Sequence, residues 1–234
     1  MRKLYVILSS VLLILSGCNM RVLDPKSQTA KGQSFLIQFS FALMMIVFTT
    51  VIVLFIWFVW KYRQTEENKH RIPEDEKGNR FFEITWTVLP IILLAVLAVP
   101  TIKITYEISA SSSATPPNAV HIDVTAQQFS WTFEYQNGVV QTSELVIPKD
   151  RPVVFHLNSD DVIHSFWVPK LGGKMDVIPG KERRLIVTPD EIGTYQGKCA
   201  EFCGKEHSLM RFETIVKTQE DYKQWIQKMK RKTE

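Results

Sequence analysis

The apolar positions of this chain follow two different rules. Before about residue 106 they gather into long runs, and beyond about residue 118 they come in short, partly alternating stretches. Phe35 to Trp60 carries no charged residue over 26 positions. At about 1.5 Å per residue such a run crosses a hydrocarbon core of about 30 Å, and it is too long and uniform for a soluble core helix. Trp86 to Ile102 is a second apolar run, closed by Lys103. Pro90 and Pro100 lie within it, which a membrane helix tolerates when its neighbours satisfy the freed carbonyls. The pattern predicts a transmembrane hairpin over residues 35–106, with a loop at 61–85.

Ser109 to Asn118, with its serine run and Pro116-Pro117, has linker composition, so a linker is expected at 107–118. Beyond it the period changes. Val120 to Val124 alternates, Phe129 to Tyr135 is short and aromatic, and Val153–Leu157, Arg184–Thr188 and Phe212–Val216 are rich in strand formers. Asn137-Gly138, Gly172-Gly173 and Pro179-Gly180 supply turns between them. Close-spaced short strands over about 100 residues predict an all-β sandwich or barrel at 119–217. Tyr222, Trp225, Ile226 and Met229 fall at helical spacing, which predicts an amphipathic helix and basic tail at 218–234.

The first residues add an address. Met1-Arg2-Lys3, an apolar core from Leu4 to Leu15 and then Ser16-Gly17-Cys18 form a secretory signal. Leu15-Ser16-Gly17-Cys18 resembles a bacterial lipoprotein processing site. Residues 1–17 are therefore expected to be removed and the Cys18 thiol to carry lipid, with 18–34 an extracytoplasmic segment. Lys61, Arg63, Lys69, Arg71, Lys77 and Arg80 crowd the short loop, and basic short loops favour the cytoplasmic side. Both arguments place the sheet domain outside. The net charge of +4 comes partly from Lys228, Lys230, Arg231 and Lys232, and no aromatic-interleaved basic face appears, so nucleic acid is not an expected partner.

The candidate chemistry is concentrated in Cys199-Ala-Glu201-Phe-Cys203-Gly-Lys-Glu-His207-Ser-Leu-Met210, with His164 upstream. Thiolate, imidazole and thioether form a soft donor set, which favours copper over magnesium or calcium. Three plainer readings stand beside it: a disulfide, one apolar face of a core helix, and a structural zinc held by Cys199, Cys203, His207 and His164. With Cys18 assigned to lipid, the other two of the three cysteines are left for the site. His121 and His156, in strand patterns, and His70, in the charged loop, are expected to be structural or surface residues.

The string C-x-E-x-C-G-x-x-H-x-x-M, with the upstream histidine and the hairpin, resembles subunit II of the haem–copper respiratory oxidases in its copper-bearing form, over nearly the whole chain. The resemblance implies a cupredoxin-like sandwich and a dinuclear copper centre, CuA. Cys199 and Cys203 would bridge two copper ions, completed by His164, His207, Met210 and the carbonyl of Glu201. It further implies a magnesium ion shared with the catalytic subunit through the Glu201 carboxylate. Glu83, in Glu83-Ile-Thr-Trp86-Thr-Val-Leu-Pro90, resembles the family's acid at the mouth of a proton path. The implied role is a subunit of a bacterial terminal oxidase in the cell membrane. It would take electrons from cytochrome c and pass them to haem and copper in subunit I, where oxygen is reduced to water and protons are pumped. Membrane lipid and the other oxidase subunits are the remaining implied partners. The related quinol-oxidase subunit keeps the fold without copper, and a tethered single-copper carrier needs only one cysteine.

One stretch departs from the family. Where many members have the tryptophan that receives electrons, this chain has Phe129, in Gln128-Phe129-Ser130-Trp131-Thr-Phe133-Glu134. Phe129 and Trp131 are the candidates for receiving electrons, and Glu134 and Asp161 the candidates for attracting a basic donor. Trp131 and Phe133 read otherwise as strand core. No C-x-x-C-H occurs, so the donor is expected to be a separate protein.

Overall fold

A computed structural model describes residues 20–70, 72, 75, 77–113 and 115–233. The signal segment and Cys18 lie outside the described residues. Two long helices, α1 (Gln28–Lys61) and α2 (Arg80–Ser113), precede ten strands and a C-terminal helix, α3 (Gln219–Thr233). The chain divides into a helical unit, 32–116, and a second unit that joins residues up to 31 to everything from 117 onward.

Both long helices are apolar and long enough to cross a membrane, and their hydrophobic side chains are bare within the unit. That surface suits lipid, which solvates apolar side chains and leaves the backbone to bond within the helix. The helices approach closely at Gly32, where an added Cβ would stand 3.1 Å from the Ile104 side chain. Pro90 and Pro100 lie within α2 without ending it. The helix also continues through Ser113, so it takes in most of the stretch whose composition reads as linker. Serine and alanine are tolerated in a helix, and Pro116 and Pro117 are the first residues in this stretch that cannot continue one.

The strands are β1 (Val120–Gln127), β2 (Ser130–Tyr135), β3 (Val140–Thr142), β4 (Glu144–Pro148), β5 (Val153–Ser159), β6 (His164–Trp167), β7 (Met175–Val177), β8 (Arg183–Val187), β9 (Gly193–Cys199) and β10 (Arg211–Lys217). They form two five-stranded sheets, β3-β2-β1-β5-β8 and β4-β10-β9-β6-β7. Each sheet is mixed, with β1 parallel to β5 and β4 parallel to β10. The fold is a cupredoxin-like β-sandwich. Ile122, Val124, Trp131, Phe133, Phe155, Leu157, Phe166 and Phe212 fill the space between the sheets. The Phe166 and Phe212 rings stack at 5.0 Å, and Trp131 meets both edge-on or tilted at about 5.5 Å.

Two additions close the sandwich. The α3 helix starts on a Thr218–Asp221 cap and places Trp225 5.3 Å from Tyr135. Residues 20–31 are more than the plain segment expected, because they lie strapped across the sandwich. Lys26 N donates to Lys170 O at 2.7 Å, and Ser27 Oγ donates to Leu171 O at 2.5 Å. Lys26 pairs with Glu191, and Lys170 with Asp24.

Candidate metal centre

The site is assembled at one end of the second sheet, where β6 begins and β9 ends. Phe166 pairs with Cys199 across these strands, and Ala200 N donates to Ser165 O, so His164 and Cys199 are held by neighbouring backbone. The loop of 200–210 then leaves the sheet and returns. Cys199 N donates to Met210 O at 2.9 Å, closing the loop at its neck. His207 and Leu209 bound a single 3₁₀ turn within it.

The expected side chains converge. Cys199 Sγ lies 3.8 Å from His164 Nδ1, 3.2 Å from Glu201 O and 3.9 Å from Cys203 Sγ. Cys203 Sγ lies 3.5 Å from His207 Nδ1 and 3.7 Å from Met210 Sδ. His164 and Met210 are fully buried, and both thiols nearly so. Sulfurs 3.9 Å apart are not a disulfide, whose bond is about 2.05 Å, and both cysteines are free. The helical-face reading also fails, since an irregular loop carries these residues. His164, Cys199 and Cys203 place ligand atoms within 4.8 Å of one another, and His207 stands outside that tight group. The residues fit a soft metal: buried sulfur and imidazole, with a thioether sulfur turned toward a thiol.

Asp161 has a different role from the one its sequence position suggests. Its Oδ1 meets His164 Nε2 at 2.8 Å, while Oδ2 accepts from Gln128 N at 2.7 Å. Burial alone would raise its carboxyl. The bonds from Gln128 N, His164 and Val162 N together hold it below the ordinary carboxylate range. A carboxylate on the outer nitrogen of a ligating histidine fixes the ring's orientation and tautomer. Asp161 is therefore engaged with His164 while lying at the surface.

The other candidates separate by burial. Trp131 is fully buried, edge-on to His164 at 6.1 Å between ring centres. Phe129 is half-buried and its ring fills the space beside Gly204, whose added Cβ would come within 3.2 Å of it. Glu134 and Glu201 are exposed. Glu83 lies in the first turn of α2. Gly197 makes room for the core: a Cβ there would stand 2.1 Å from the Phe212 ring. Sequence reasoning missed two associations. Gln128 touches both ligand-bearing segments, and His121 Nδ1 meets His156 Nε2 at 2.9 Å, with Glu182 on the other His156 nitrogen. Gln128 had one available signal, its place beside the aromatic stretch. The histidine pair joins strands whose register no local pattern reveals.

Comparison with known proteins gives the same assignment over most of the length. The family model described as "Cytochrome C oxidase subunit II, periplasmic domain" matches residues 138–218, and the one described as "Cytochrome C oxidase subunit II, transmembrane domain" matches 16–104. The chain is 40% identical to cytochrome c oxidase subunit 2 of Alkalihalophilus pseudofirmus, over 97% of this chain and 68% of that one. It is 36% identical to quinol oxidase subunit 2 of Bacillus cereus, over 94% of this chain and 77% of that one. The solved periplasmic domain of cytochrome oxidase subunit II from Bradyrhizobium japonicum is 26% identical, with a TM-score of 0.48, covering 51% of this chain and 99% of that domain. With two membrane-length helices, a sandwich and a buried His/Cys/Cys copper-type cluster, the chain belongs to the cytochrome c oxidase subunit II family and is a two-pass subunit of a haem–copper oxidoreductase complex.

Proposed function

We propose that this chain is the electron-receiving subunit of a bacterial terminal oxidase, with its sandwich on the outer face of the cell membrane. The observation that carries the reading is the convergence of both thiols, His164, His207, Met210 and the Glu201 carbonyl on one buried spot. A dinuclear CuA centre suits this arrangement better than one ion. A single four-coordinate metal needs every ligand close to every other, and His207 falls outside the tight group of three. Copper bound there supplies a one-electron redox centre. The residues supply rigidity: His164 is oriented by Asp161, the loop is closed at Cys199–Met210, and burial of the sulfurs excludes water.

Single electrons arrive from a cytochrome c and leave for haem and copper in subunit I, where oxygen is reduced and protons are pumped. Phe202 and Leu209, 76% and 70% exposed beside the ligands, give partner subunits an apolar surface to cover. The Glu201 carboxylate shares an open cleft with Asp176 and is the candidate ligand for a magnesium ion at the contact with subunit I, a hard cation that oxygen donors suit. Glu83, at the first turn of α2, is the candidate acid at the proton-path mouth. Cys18 is the candidate lipid attachment, motivated by Leu15-Ser16-Gly17-Cys18. Intact-mass analysis of the purified subunit should find acylated Cys18 as the first residue, and an unmodified Met1 would sink that assignment.

The relatives include both cytochrome c and quinol oxidase subunits, so the donor is decided by experiment. Asp160 is an exposed acid in the segment leading to His164, and Glu134 is an exposed acid on β2. Opposite charge raises association rates in a salt-dependent way. Turnover of the purified oxidase with a soluble basic cytochrome c is expected to fall as salt rises. Glu134→Gln together with Asp160→Asn should flatten that dependence. Quinol-supported turnover with no oxidation of cytochrome c would overturn the donor assignment.

A further inference from the structure

The two halves of the metal centre are not held equally. His164 and Cys199 sit on paired strands, where the β6–β9 ladder and the Ala200 N to Ser165 O bond fix them. Cys203 has no such support. It lies at the tip of the 200–210 loop, four positions past the end of β9.

What reaches it is Gln128, in the turn between β1 and β2. The Gln128 side-chain amide donates to Cys203 O at 2.5 Å. The Gln128 backbone N donates to Asp161 Oδ2 at 2.7 Å, and Asp161 Oδ1 meets His164 Nε2 at 2.8 Å. One residue of the opposite sheet therefore touches the loop bearing one thiol and the acid that orients one imidazole. The contact is close-packed. Gly204 has a φ of +133°, and a Cβ there would stand 2.9 Å from Gln128 Nε2 and 3.2 Å from the Phe129 ring. Gly204 gives the turn room to press against the loop, and no larger residue fits without displacing Gln128.

We propose that Gln128 is a positioning residue for the metal centre, holding Cys203 at its distance from Cys199 and coupling it to the His164–Asp161 pair. This rests on the copper reading above. Its consequence is specific: loss of the amide donor should loosen metal retention while leaving the sandwich intact, because Gln128 itself is outside the core. Groups that hold ligands in place typically matter by about 10–100-fold in metal affinity.

The test uses the full chain in detergent, loaded with copper. Gln128→Glu keeps the length and packing of the side chain but replaces the donor by an acceptor that faces the Cys203 carbonyl. Gln128→Ala removes the side chain altogether, and both leave the backbone bond to Asp161. Copper release to a chelator is expected to be about 10–100-fold faster in both variants. The copper hyperfine pattern in electron paramagnetic resonance should change, while the thermal midpoint of the metal-free form stays at the wild-type value. Wild-type release and an unchanged spectrum in Gln128→Glu would overturn the proposal. So would a metal-free midpoint that falls as far as the loaded one, since that marks a role in general stability. A wild-type chain that takes up no copper would instead refute the copper reading, and this inference with it.

Discussion

Cys203→Ser is expected to abolish the dinuclear copper signal of the full chain and leave at most one weakly held copper. Wild type is expected to bind two coppers per chain and to show one unpaired electron shared between them. The argument is chemical and geometric. A hydroxyl is a far weaker soft-metal ligand than a thiolate, and Cys203 Sγ is the atom that approaches Cys199 Sγ, His207 Nδ1 and Met210 Sδ. Metal analysis with electron paramagnetic resonance checks both forms. One copper per wild-type chain, with four-line hyperfine structure, would sink the dinuclear assignment. The same thiol sets a pH dependence. Burial, then the neighbouring Cys199, pushes the Cys203 thiol up to about 12 in the metal-free chain. The thiol is therefore protonated at neutral pH, and copper must displace that proton. Apparent affinity should rise with pH, by about tenfold per unit for each proton released, and uptake should acidify a weakly buffered solution. Affinity independent of pH between 6 and 8 would contradict this.

Trp131→Ala is expected to cost about 3–5 kcal/mol of sandwich stability, the usual range for emptying a large aromatic site. Trp131 is fully buried and packs on His164, Phe166 and Phe212, so its loss opens a cavity directly behind a candidate ligand. Trp131→Phe should cost far less, about 1–2 kcal/mol. The Trp131 Nε1 donor has no hydrogen-bond partner among the described residues, so phenylalanine sacrifices volume and no bond. Denaturant unfolding followed by circular dichroism measures both. Equal losses in the two variants would mean that the indole nitrogen matters and that a partner for it exists in the assembled protein. Burial also constrains the electron route. A donor cannot touch Trp131 first, which leaves half-buried Phe129 as the proposed point of contact. The KM for cytochrome c is therefore expected to be unchanged in Trp131→Phe.

The membrane helices were legible because their signal is local: long uncharged runs need no tertiary partner to declare themselves. Half of the strands were legible for the same reason, those with several β-branched or aromatic residues in succession. Of the others, β4 carries a Leu145-Val146-Ile147 run that is itself a local strand signal, whereas β3, β6, β7 and β9 are short or carry glycine, lysine and cysteine at positions suited to pairing or to the site. Their strand character comes from neighbours across the sheet, so no window of sequence contains it. The serine run misled in the opposite sense, since it sits within α2, whereas Pro90 lies inside that helix as expected. Local propensities of a few tenths of a kcal/mol, and even a proline, yield to a favourable helical context.

For the metal centre, the residue types and spacing between Cys199 and Met210 were enough to name the soft ligand set. The sequence by itself therefore determined which atoms are available and which class of metal they suit, because donor chemistry belongs to the side chain wherever it lies. Only the tertiary structure decided how those atoms are held. It separated the sulfurs by 3.9 Å and removed the disulfide reading, and it committed Asp161 to His164. It buried Trp131 behind the site and brought Gln128 across from the other sheet to Cys203. These residues lie tens of positions apart and meet only because mixed parallel and antiparallel pairing folds their strand ends together, and register at that range is set by the packing of the whole sandwich.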